Sequence, residues 1–295
     1  MKGLREDGVG GHARAVAAGE RFEFGKNWSR FLAVLDDERI VKAEESLRLM
    51  LDIKDFRGKR FLDVGSGSGL FSLVARRLGA QVYSFDYDPR SVACTNELKR
   101  RYFPGDSDWT IGEGSVLDED FLKPLGTFDV VYSWGVLHHT GAMWQALEHV
   151  SHAVGEQGKL FIALYNDQGR ESRRWLSLKR LYNRLPGWAK FLVLSPSMLR
   201  LWGPTFLRDS LHGNPFRTWL GYKKERGMSA WHDVVDWVGG YPFEVARPEE
   251  IFEFYQRNGF VLVKMRTCAG GHGCNEFVFE RRSNSCLPSH ASQHS

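Results

Sequence analysis

Apolar residues recur along the chain in two rhythms, one typical of helices and one typical of buried strands. Over residues 27–52 they recur every three or four positions, which predicts one or two amphipathic helices ahead of the first strand. Short apolar runs and helix-like stretches then alternate. The predicted strands span residues 61–65, 81–86, 109–113, 128–133 and 158–165, and the helices between them span residues 69–78, 89–102 and 141–154. This alternation predicts an α/β fold with a parallel sheet wound on both sides.

The pattern changes after the fifth predicted strand. The next core-like helix is expected only at residues 248–258, followed by strands at 260–267 and 275–281. Residues 168–246 are therefore a predicted helical insertion that holds six of the ten tryptophans. These are Trp175, Trp188, Trp202, Trp219, Trp231 and Trp237. Because aromatic side chains supply a large contact area, we expect the insertion to cap a substrate pocket.

These boundaries divide the chain into four parts. Residues 1–56 hold a leader, rich in Gly, Ala and charge and expected to be mobile as far as residue 19, and then the cap helices. The core is expected over residues 57–167 and 247–282, with the insertion at residues 168–246 between its two portions. Residues 283–295 are polar and Ser-rich, which predicts a disordered tail.

The motif RFLDVGSGSGLFS joins the first strand to the first core helix, with Gly65, Gly67 and Gly69 two residues apart. Glycine has no β-carbon, so this turn lets the backbone approach a nucleotide-like ligand at the helix N-terminus. The dinucleotide fingerprint would need a glycine where Leu70 stands, and no Gly-Lys-Ser or Gly-Lys-Thr of a phosphate loop follows. Asp63 suits a cationic ligand better than an anionic pyrophosphate.

Four motifs in order resemble those of the class I S-adenosylmethionine-dependent methyltransferases. They are the glycine turn DVGSGSG, a second strand QVYSFD that ends in an acid, a fourth strand TFDVVYS followed by WGVLHH, and a fifth strand GKLFIALYN. The resemblance covers residues 59–166 and resumes near Arg247. It implies a Rossmann-like, doubly wound, seven-stranded and mostly parallel sheet, and it implies S-adenosylmethionine as the cofactor.

The resemblance also implies roles for two carboxylates beside the glycine turn. Asp86 would accept both ribose hydroxyl protons. An acid at this point could instead cap the following helix, a role that would also suit Asp88. Asp63 would order the glycine turn through backbone amides and attract the cofactor ammonium group through water, although simple capping is the alternative.

The adenine end departs from the family pattern. Many relatives place an acid where Ser115 stands, so Ser115 and the Val116 backbone are the expected adenine contacts, with Asp118 as a substitute. The backbone carbonyl of Ser133 or Trp134 is expected to face the amino acid end of the cofactor. The predicted cofactor-binding residues are Asp63, Gly65, Ser66, Gly67, Gly69, Asp86, Tyr87, Ser115, Val116, Ser133 and Trp134.

Five side chains are candidates for proton removal or for positioning the acceptor: His138, His139, Asp233, Asp236 and His272. The adjacent histidines follow the fourth strand at the ligand-binding edge of the sheet, although helix-start packing explains them equally well. The two acids lie beside aromatic residues, where burial would raise a carboxyl pKa toward that of a useful base. A capped helix packed on the core is the alternative. His272 belongs to the loop CAGGHGCN between the last two strands, expected at the pocket mouth.

The cysteines indicate neither a metal site nor a disulfide framework. Cys268 and Cys274 flank His272, but a closed zinc site needs four ligands, and a partner pair with suitable spacing is missing from the sequence. Together with Cys94 and Cys286 they show no disulfide-like spacing, which favours a reducing cytosol. The sequence shows neither a signal-peptide core nor a run long enough to span a membrane, so we expect a cytoplasmic protein.

Positive charge is concentrated in one region of the chain. The 295 residues carry a formal charge of +4 and a pI near 8.8, too mild to indicate nucleic acid by itself. Within residues 168–246, however, thirteen Lys or Arg stand against six Asp or Glu. The insertion is therefore basic as well as rich in tryptophan.

Three functions remain open at this point. The favoured one is methylation of an aromatic or lipidic small molecule, preferably on oxygen, because portions of the chain resemble the ubiquinone-pathway O-methyltransferases. The second is an RNA methyltransferase that uses the basic insertion, disfavoured because the sequence has no Asn-Pro-Pro-Tyr-type motif. The third is a catalytically silent subunit that binds the cofactor. The stretch at residues 188–207 could also lie on a bilayer, although core packing or an oligomer contact is favoured.

Overall fold

The computed structural model describes residues 6–226 and 230–283, and within them the strands form one seven-stranded sheet. The strands are β1 (Arg60–Val64), β2 (Gln81–Asp86), β3 (Trp109–Glu113), β4 (Phe128–Trp134), β5 (Val154–Tyr165), β6 (Phe260–Arg266) and β7 (Cys274–Arg281). Their order is β3-β2-β1-β4-β5-β7-β6. Strands β1 to β5 are parallel, whereas β7 is antiparallel to both of its neighbours. The predicted α/β class and mostly parallel sheet are confirmed.

Helices cover both faces of the sheet and build the insertion. They are α1 (Glu6–Ala17), α2 (Gly25–Leu32), α3 (Asp37–Leu51), α4 (Leu70–Arg77), α5 (Pro89–Tyr102), α6 (Glu119–Leu122), α7 (Met143–His152), α8 (Arg170–Arg184), α9 (Phe191–Leu211), α10 (Arg217–Arg226), α11 (Ala230–Gly239) and α12 (Pro248–Arg257). The core elements lie within four residues of their predicted ends. The largest difference is at β5, which begins at Val154 because this residue pairs with Phe128 before a register shift.

Successive residues of a strand point to opposite faces of the sheet, and here helices bury apolar side chains on both faces. On β1, Leu62 and Val64 join an apolar cluster under α7 and α12, whereas Phe61 joins a second cluster under α3, α4 and α5. This two-sided burial explains why the strands read as continuous apolar runs. It also leaves the carboxyl edge of the sheet as the place where loops and polar side chains converge.

The N-terminal residues differ from the expected leader. Residues 6–17 form α1, although their glycines lower helix propensity. The helix is held by tertiary contacts: His12 Nε2 lies 3.8 Å from a carboxylate oxygen of Asp88, and its ring packs edge-on against Tyr87. Residues 1–5 and the predicted tail from residue 284 onward, with Cys286, lie outside the described residues.

The insertion is helical, as predicted, and has a core of its own. Helices α8, α9 and α11 pack around Trp175, Trp202, Val234 and Val238, and Phe243 completes this third cluster. Among the described residues, the structure contains no helix that is both long and apolar enough to cross a membrane.

Candidate active site

A cavity of about 1230 Å³ lies at the carboxyl edge of the sheet. The ends of β1, β2, β4 and β5 form one wall, together with the glycine turn after β1. The segment before α2 and helices α9, α10 and α11 of the insertion contribute the other walls. Ligands of open α/β sheets bind at this edge. One continuous cavity therefore runs from the glycine turn to the insertion.

The glycine turn needs its glycines for two physical reasons. Their φ angles are 77° at Gly65, 55° at Gly67 and 81° at Gly69, all in the left-handed region. In addition, a β-carbon on Gly65 would lie 2.4 Å from a methyl carbon of Val136, and one on Gly69 would lie 2.9 Å from the Cα of Thr95. Gly65 and Gly67 line the cavity, whereas the third glycine serves the packing of α4 against α5.

We expect Gly65→Ala to lower the free energy of unfolding by about 2–5 kcal/mol, because left-handed strain adds to the clash with Val136. Gly58→Ala is the matched control, since Gly58 has a φ of 73° and nothing within 4 Å of an added β-carbon. In the control the free energy of unfolding should fall only by the cost of placing alanine in a left-handed backbone conformation, about 1–2 kcal/mol. Urea unfolding followed by circular dichroism measures both values. Equal losses would contradict the role given to Val136.

Two carboxylates flank the turn, and their partners differ from those expected. Asp86, at the end of β2, accepts hydrogen bonds from the backbone amides of Gly67 and Asp88, each 2.9 Å long. Asp63 accepts a hydrogen bond from the Ser72 hydroxyl in the first turn of α4. It is therefore Asp86 that orders the glycine turn, whereas Asp63 ties α4 to the sheet.

Both carboxyls have raised pKa values. Burial raises the pKa of Asp86 to about 6 and that of Asp63 to about 7. A positive charge bound beside them would favour their ionised forms, by the same Coulomb attraction that would hold the cation. This end of the cavity thus suits a cationic ligand. A carboxylate for a diol, at Asp86, and a second buried carboxyl for a sulfonium or ammonium group, at Asp63, fit S-adenosylmethionine.

The loop after β3 contributes the wall assigned to adenine. Ser115 and Val116 line the cavity, and the Val116 carbonyl is fixed by a hydrogen bond from His149 Nδ1, 2.8 Å long. Asp118 instead caps α6 by accepting a hydrogen bond from the Phe121 amide at 3.2 Å. The described lining of the cavity does not include Asp118.

The other predicted cofactor residues divide between lining and packing. Ser66, Tyr87 and Trp134 line the cavity. The indole of Trp134 is held by a hydrogen bond from its Nε1 to Glu276, 3.0 Å long. Ser133 is fully buried and donates its hydroxyl proton to the last carbonyl of β1, and its side chain is outside the described lining.

Residues 21–28, which we call the covering segment, lie over the glycine turn. The Gly25 amide donates a hydrogen bond to the Asp88 carboxylate, 2.8 Å long. A β-carbon on Gly67 would lie 3.0 Å from the Trp28 indole, so the indole packs directly on the turn. The sequence predicted cap helices only from residue 27 onward, and it identified none of these contacts, because hydrophobic spacing reveals a helix without revealing its partner.

The two adjacent histidines differ in their surroundings. His138 is fully buried: its Nδ1 accepts a hydrogen bond from the Tyr165 amide at 3.3 Å, and its ring centroid lies 3.9 Å from that of Tyr165. It is outside the described lining of the cavity. His139 lines the cavity and donates from Nδ1 to the Pro242 carbonyl at 2.5 Å. Burial lowers the pKa of His139 to about 3, so its ring is neutral at neutral pH, with Nε2 as an acceptor.

The insertion contributes two carboxylates to the lining of the cavity. Asp236 accepts a hydrogen bond from the side-chain amide of Asn27, and Asp233 accepts one from the Tyr222 hydroxyl at 2.6 Å. Burial raises the pKa of Asp236 to about 7. Burial also lowers the pKa of Lys179 to about 7, and its ammonium group donates to the Trp237 carbonyl. Asn27 is a site residue that sequence reasoning missed.

His272 lies in the wall of the same cavity. Its ring centroid is 5.9 Å from that of Trp175 and 5.4 Å from that of Trp237, and burial lowers its pKa. Cys268 and Cys274 also line the cavity. In the part of the chain that the structure describes, no group of three or more His, Cys, Asp or Glu side chains is placed to hold a metal ion.

Comparison with known proteins gives one family match and several partial relatives. A family model described as a methyltransferase domain matches residues 36–212. A tRNA U34 carboxymethyltransferase of Methylococcus capsulatus is 30% identical over 156 residues, which is 52% of this chain and 46% of that protein. A ubiquinone biosynthesis O-methyltransferase of Cereibacter sphaeroides is 36% identical over 84 residues, or 28% of this chain and 32% of its own. Each alignment spans less than half of the relative's length.

A solved structure extends the likeness to the fold. An O-methyltransferase family protein from Burkholderia thailandensis aligns with a TM-score of 0.50 and 14% sequence identity. The alignment covers 84% of this chain and 58% of that protein. At this level of identity the likeness supports the architecture of the sheet and its helices.

Proposed function

The chain belongs to the methyltransferase-domain family and is an S-adenosylmethionine-dependent methyltransferase, and on this premise we propose that its acceptor is a hydroxyl group of an aromatic or lipidic small molecule. The observation that carries the proposal is the continuous cavity between the glycine turn and the tryptophan-rich insertion. When bound, S-adenosylmethionine supplies an electrophilic methyl group. The protein's own residues bind, orient and accept a proton.

The cofactor would be held at the glycine turn. Asp86 would accept the ribose hydroxyls while it keeps the turn closed through the Gly67 amide. Ser115 and the Val116 backbone would meet the adenine, and the covering segment would limit access of water to this end of the cavity. Trp134 would lie at the amino acid end.

The acceptor would bind between aromatic side chains at the insertion end. Tyr165, Trp202, Tyr222 and Trp237 line this part of the cavity. Aromatic rings provide flat apolar walls, which match an aromatic or hydrocarbon acceptor. The relative named for O-methylation in ubiquinone biosynthesis supports oxygen as the methylated atom.

Asp236 is a well-tuned base among the insertion residues that line this cavity. A general base works best when its pKa lies near the working pH, and burial places that of Asp236 at about 7. The pKa of His139 is lowered to about 3, so its neutral ring would be a weak proton acceptor. We therefore assign proton removal to Asp236 and leave His139 to orient the acceptor through Nε2.

This assignment predicts a pH dependence. The rate should rise with pH through about 7, because the buried carboxyl of Asp236 must lose its proton before it can accept one from the acceptor. Asp63, Asp233 and His139 line the same cavity, and the buried Lys179 interacts electrostatically with Asp236, so the test is whether Asp236→Asn removes the rising limb. Initial rates at saturating S-adenosylmethionine measure it. A limb that persists unchanged in the variant would assign it to another group.

RNA is the second candidate acceptor, favoured by the basic insertion and by the relative named for tRNA modification. Against it, Trp175 and Trp202 are buried and Trp237 lines the cavity, so these rings do not project outward to stack on bases; only Trp188 and Trp231 of the six are among the described exposed residues. A small molecule enclosed by the insertion is the better match to this arrangement.

The experiment uses methyl-labelled S-adenosylmethionine and three separate acceptor pools: phenolic and quinol small molecules, total RNA, and protein. We expect label in the small-molecule pool, with product mass increased by one methyl group. Label that appears in RNA alone would overturn the proposal. Transfer to none of the pools, with S-adenosylhomocysteine binding intact, would instead favour the silent cofactor-binding subunit.

A further inference from the structure

Helix α9 is apolar on both of its faces. Its inner face buries Val193 and Trp202 in the core of the insertion. Its outer face carries Leu192, Leu199 and Leu207, exposed by 57%, 73% and 66% respectively. A contiguous exposed apolar patch on a helix marks an interaction surface.

The exposed leucines form one continuous stripe. Leu192, Pro196, Leu199, Gly203 and Leu207 follow one another at intervals of three or four residues, which places them on one side of the helix. We call these five residues the outer stripe. At about 1.5 Å per residue it is roughly 22 Å long. Trp188 and Phe191 extend it before its start, and Leu211 extends it beyond its end, all three more than half exposed.

Two arginines directly follow leucines of the outer stripe. Arg200 is exposed and forms an ion pair with Glu171, whereas Arg208 pairs with Asp209 and also lines the cavity. Lys190 precedes the helix.

The described acidic side chains of the insertion line the cavity or have partners, and two of them pair with the arginines of α9. Asp233 and Asp236 line the cavity. Asp209 is buried, and its carboxylate accepts hydrogen bonds from the backbone amide and the hydroxyl of Thr218. Glu244 accepts hydrogen bonds from the backbone amides of Gly141, before α7, and of Met143, its first residue. Glu171 forms ion pairs with Arg174 and Arg200. Residues 168–246 nevertheless carry thirteen Lys or Arg against six Asp or Glu, so the insertion that bears the outer stripe keeps a net positive charge.

We propose that the outer stripe docks on the surface of an anionic lipid bilayer, with α9 lying in the plane of the membrane. Leucines and a tryptophan on one face, bordered by Lys and Arg, are the combination by which amphipathic helices bind anionic interfaces. A second copy of the chain fits less well, since a symmetric contact would bring two insertions of net positive charge together. The same helix lines the cavity through Trp202 and Thr205, so docking would hold the acceptor end of the cavity against the membrane.

Sedimentation with vesicles tests the proposal on the full chain. We expect the protein to pellet with vesicles of phosphatidylcholine and phosphatidylglycerol, and much less with phosphatidylcholine alone. Replacing both Leu199 and Leu207 with glutamate should lower the partition coefficient roughly tenfold or more. Leu49→Glu is the matched control, because Leu49 is 64% exposed on α3, away from the stripe, and should leave binding unchanged.

Three outcomes would overturn the proposal: no binding of the unaltered protein to either vesicle, equal binding of the double variant, or equal binding to neutral vesicles. Sedimentation velocity without lipid covers the remaining occupant, since a dimer that the double variant converts to monomer, without vesicle binding, would make the stripe a contact between copies. Neither leucine lines the cavity, so S-adenosylhomocysteine binding should persist in the double variant and report on its folding. Vesicle binding is measured without an acceptor, so its failure would leave the proposed methyl transfer untouched.

Discussion

Asp86→Ala is expected to weaken the binding of S-adenosylhomocysteine by about a hundredfold or more. The carboxylate accepts the Gly67 amide that closes the glycine turn, and it is the proposed acceptor for the ribose hydroxyls. A hydrogen bond to a charged group contributes about 1.5–3 kcal/mol, so the loss of two such bonds to ligand amounts to a factor of about 10² to 10⁴. Isothermal titration calorimetry measures the change directly, without knowledge of the acceptor.

Asp118→Ala is the matched control for that measurement. Asp118 is also a carboxylate near the predicted adenine loop, but it caps α6, outside the described lining of the cavity. We expect its replacement to cost helix stability, about 1 kcal/mol, and to leave affinity nearly unchanged. Similar losses of affinity in the two variants would mean that Asp86→Ala weakens binding by destabilising the fold. An unchanged affinity in Asp86→Ala would show that Asp86 does not bind the cofactor.

Asp236→Asn is expected to lower kcat by about 10² to 10⁴ on the acceptor identified by the labelling experiment. Positioned proton transfer contributes rate factors of this size, and asparagine keeps the shape of the side chain while it removes the basic oxygen. Affinity for S-adenosylhomocysteine should change far less than kcat, because asparagine can still accept the hydrogen bond from Asn27 of the covering segment. Single-turnover kinetics with saturating cofactor separate the chemical step from binding.

Asp233→Asn provides the comparison at the same end of the cavity. Its carboxylate accepts the Tyr222 hydroxyl, so the amide should disturb the wall and raise KM more than it lowers kcat. If Asp236→Asn keeps most of its activity while Asp233→Asn loses it, the proton acceptor is the other carboxylate. If both variants remain active, the acceptor needs no base from the insertion.

The strands and the glycine turn could be predicted because their signals are local. Alternating strands and helices leave periodic apolar runs, and three glycines spaced two apart identify a turn whose φ angles are all positive. The end of β2 at Asp86 was readable for the same reason. The partner of each carboxylate was not, because it depends on register: Asp63 lies opposite Ser84, whose hydroxyl bonds to that of Ser72, and this draws Asp63 into a serine network.

The acceptor end could be predicted only in part. Asp236 was recognisable as an acid among aromatic residues, but its partner Asn27 lies 209 positions earlier in the chain, and no local pattern links the two. The adjacent histidines were indistinguishable in the sequence. The short 3-10 helix at Leu137–His139 turns His139 toward the cavity and leaves His138 stacked on Tyr165, a difference that depends on backbone geometry.

The position of β7 between β5 and β6 constrains the order in which this protein can mature. In the described sheet β6 pairs with β7 alone, and β7 also covers one edge of β5. During synthesis that edge of β5 and the backbone of β6 therefore remain unpaired until β7 has left the ribosome. The insertion has its own apolar cluster and can collapse during that delay. A premature stop before residue 274 would therefore leave both β5 and β6 without the strand that joins them. A truncated chain of this kind is a target for chaperones and proteases.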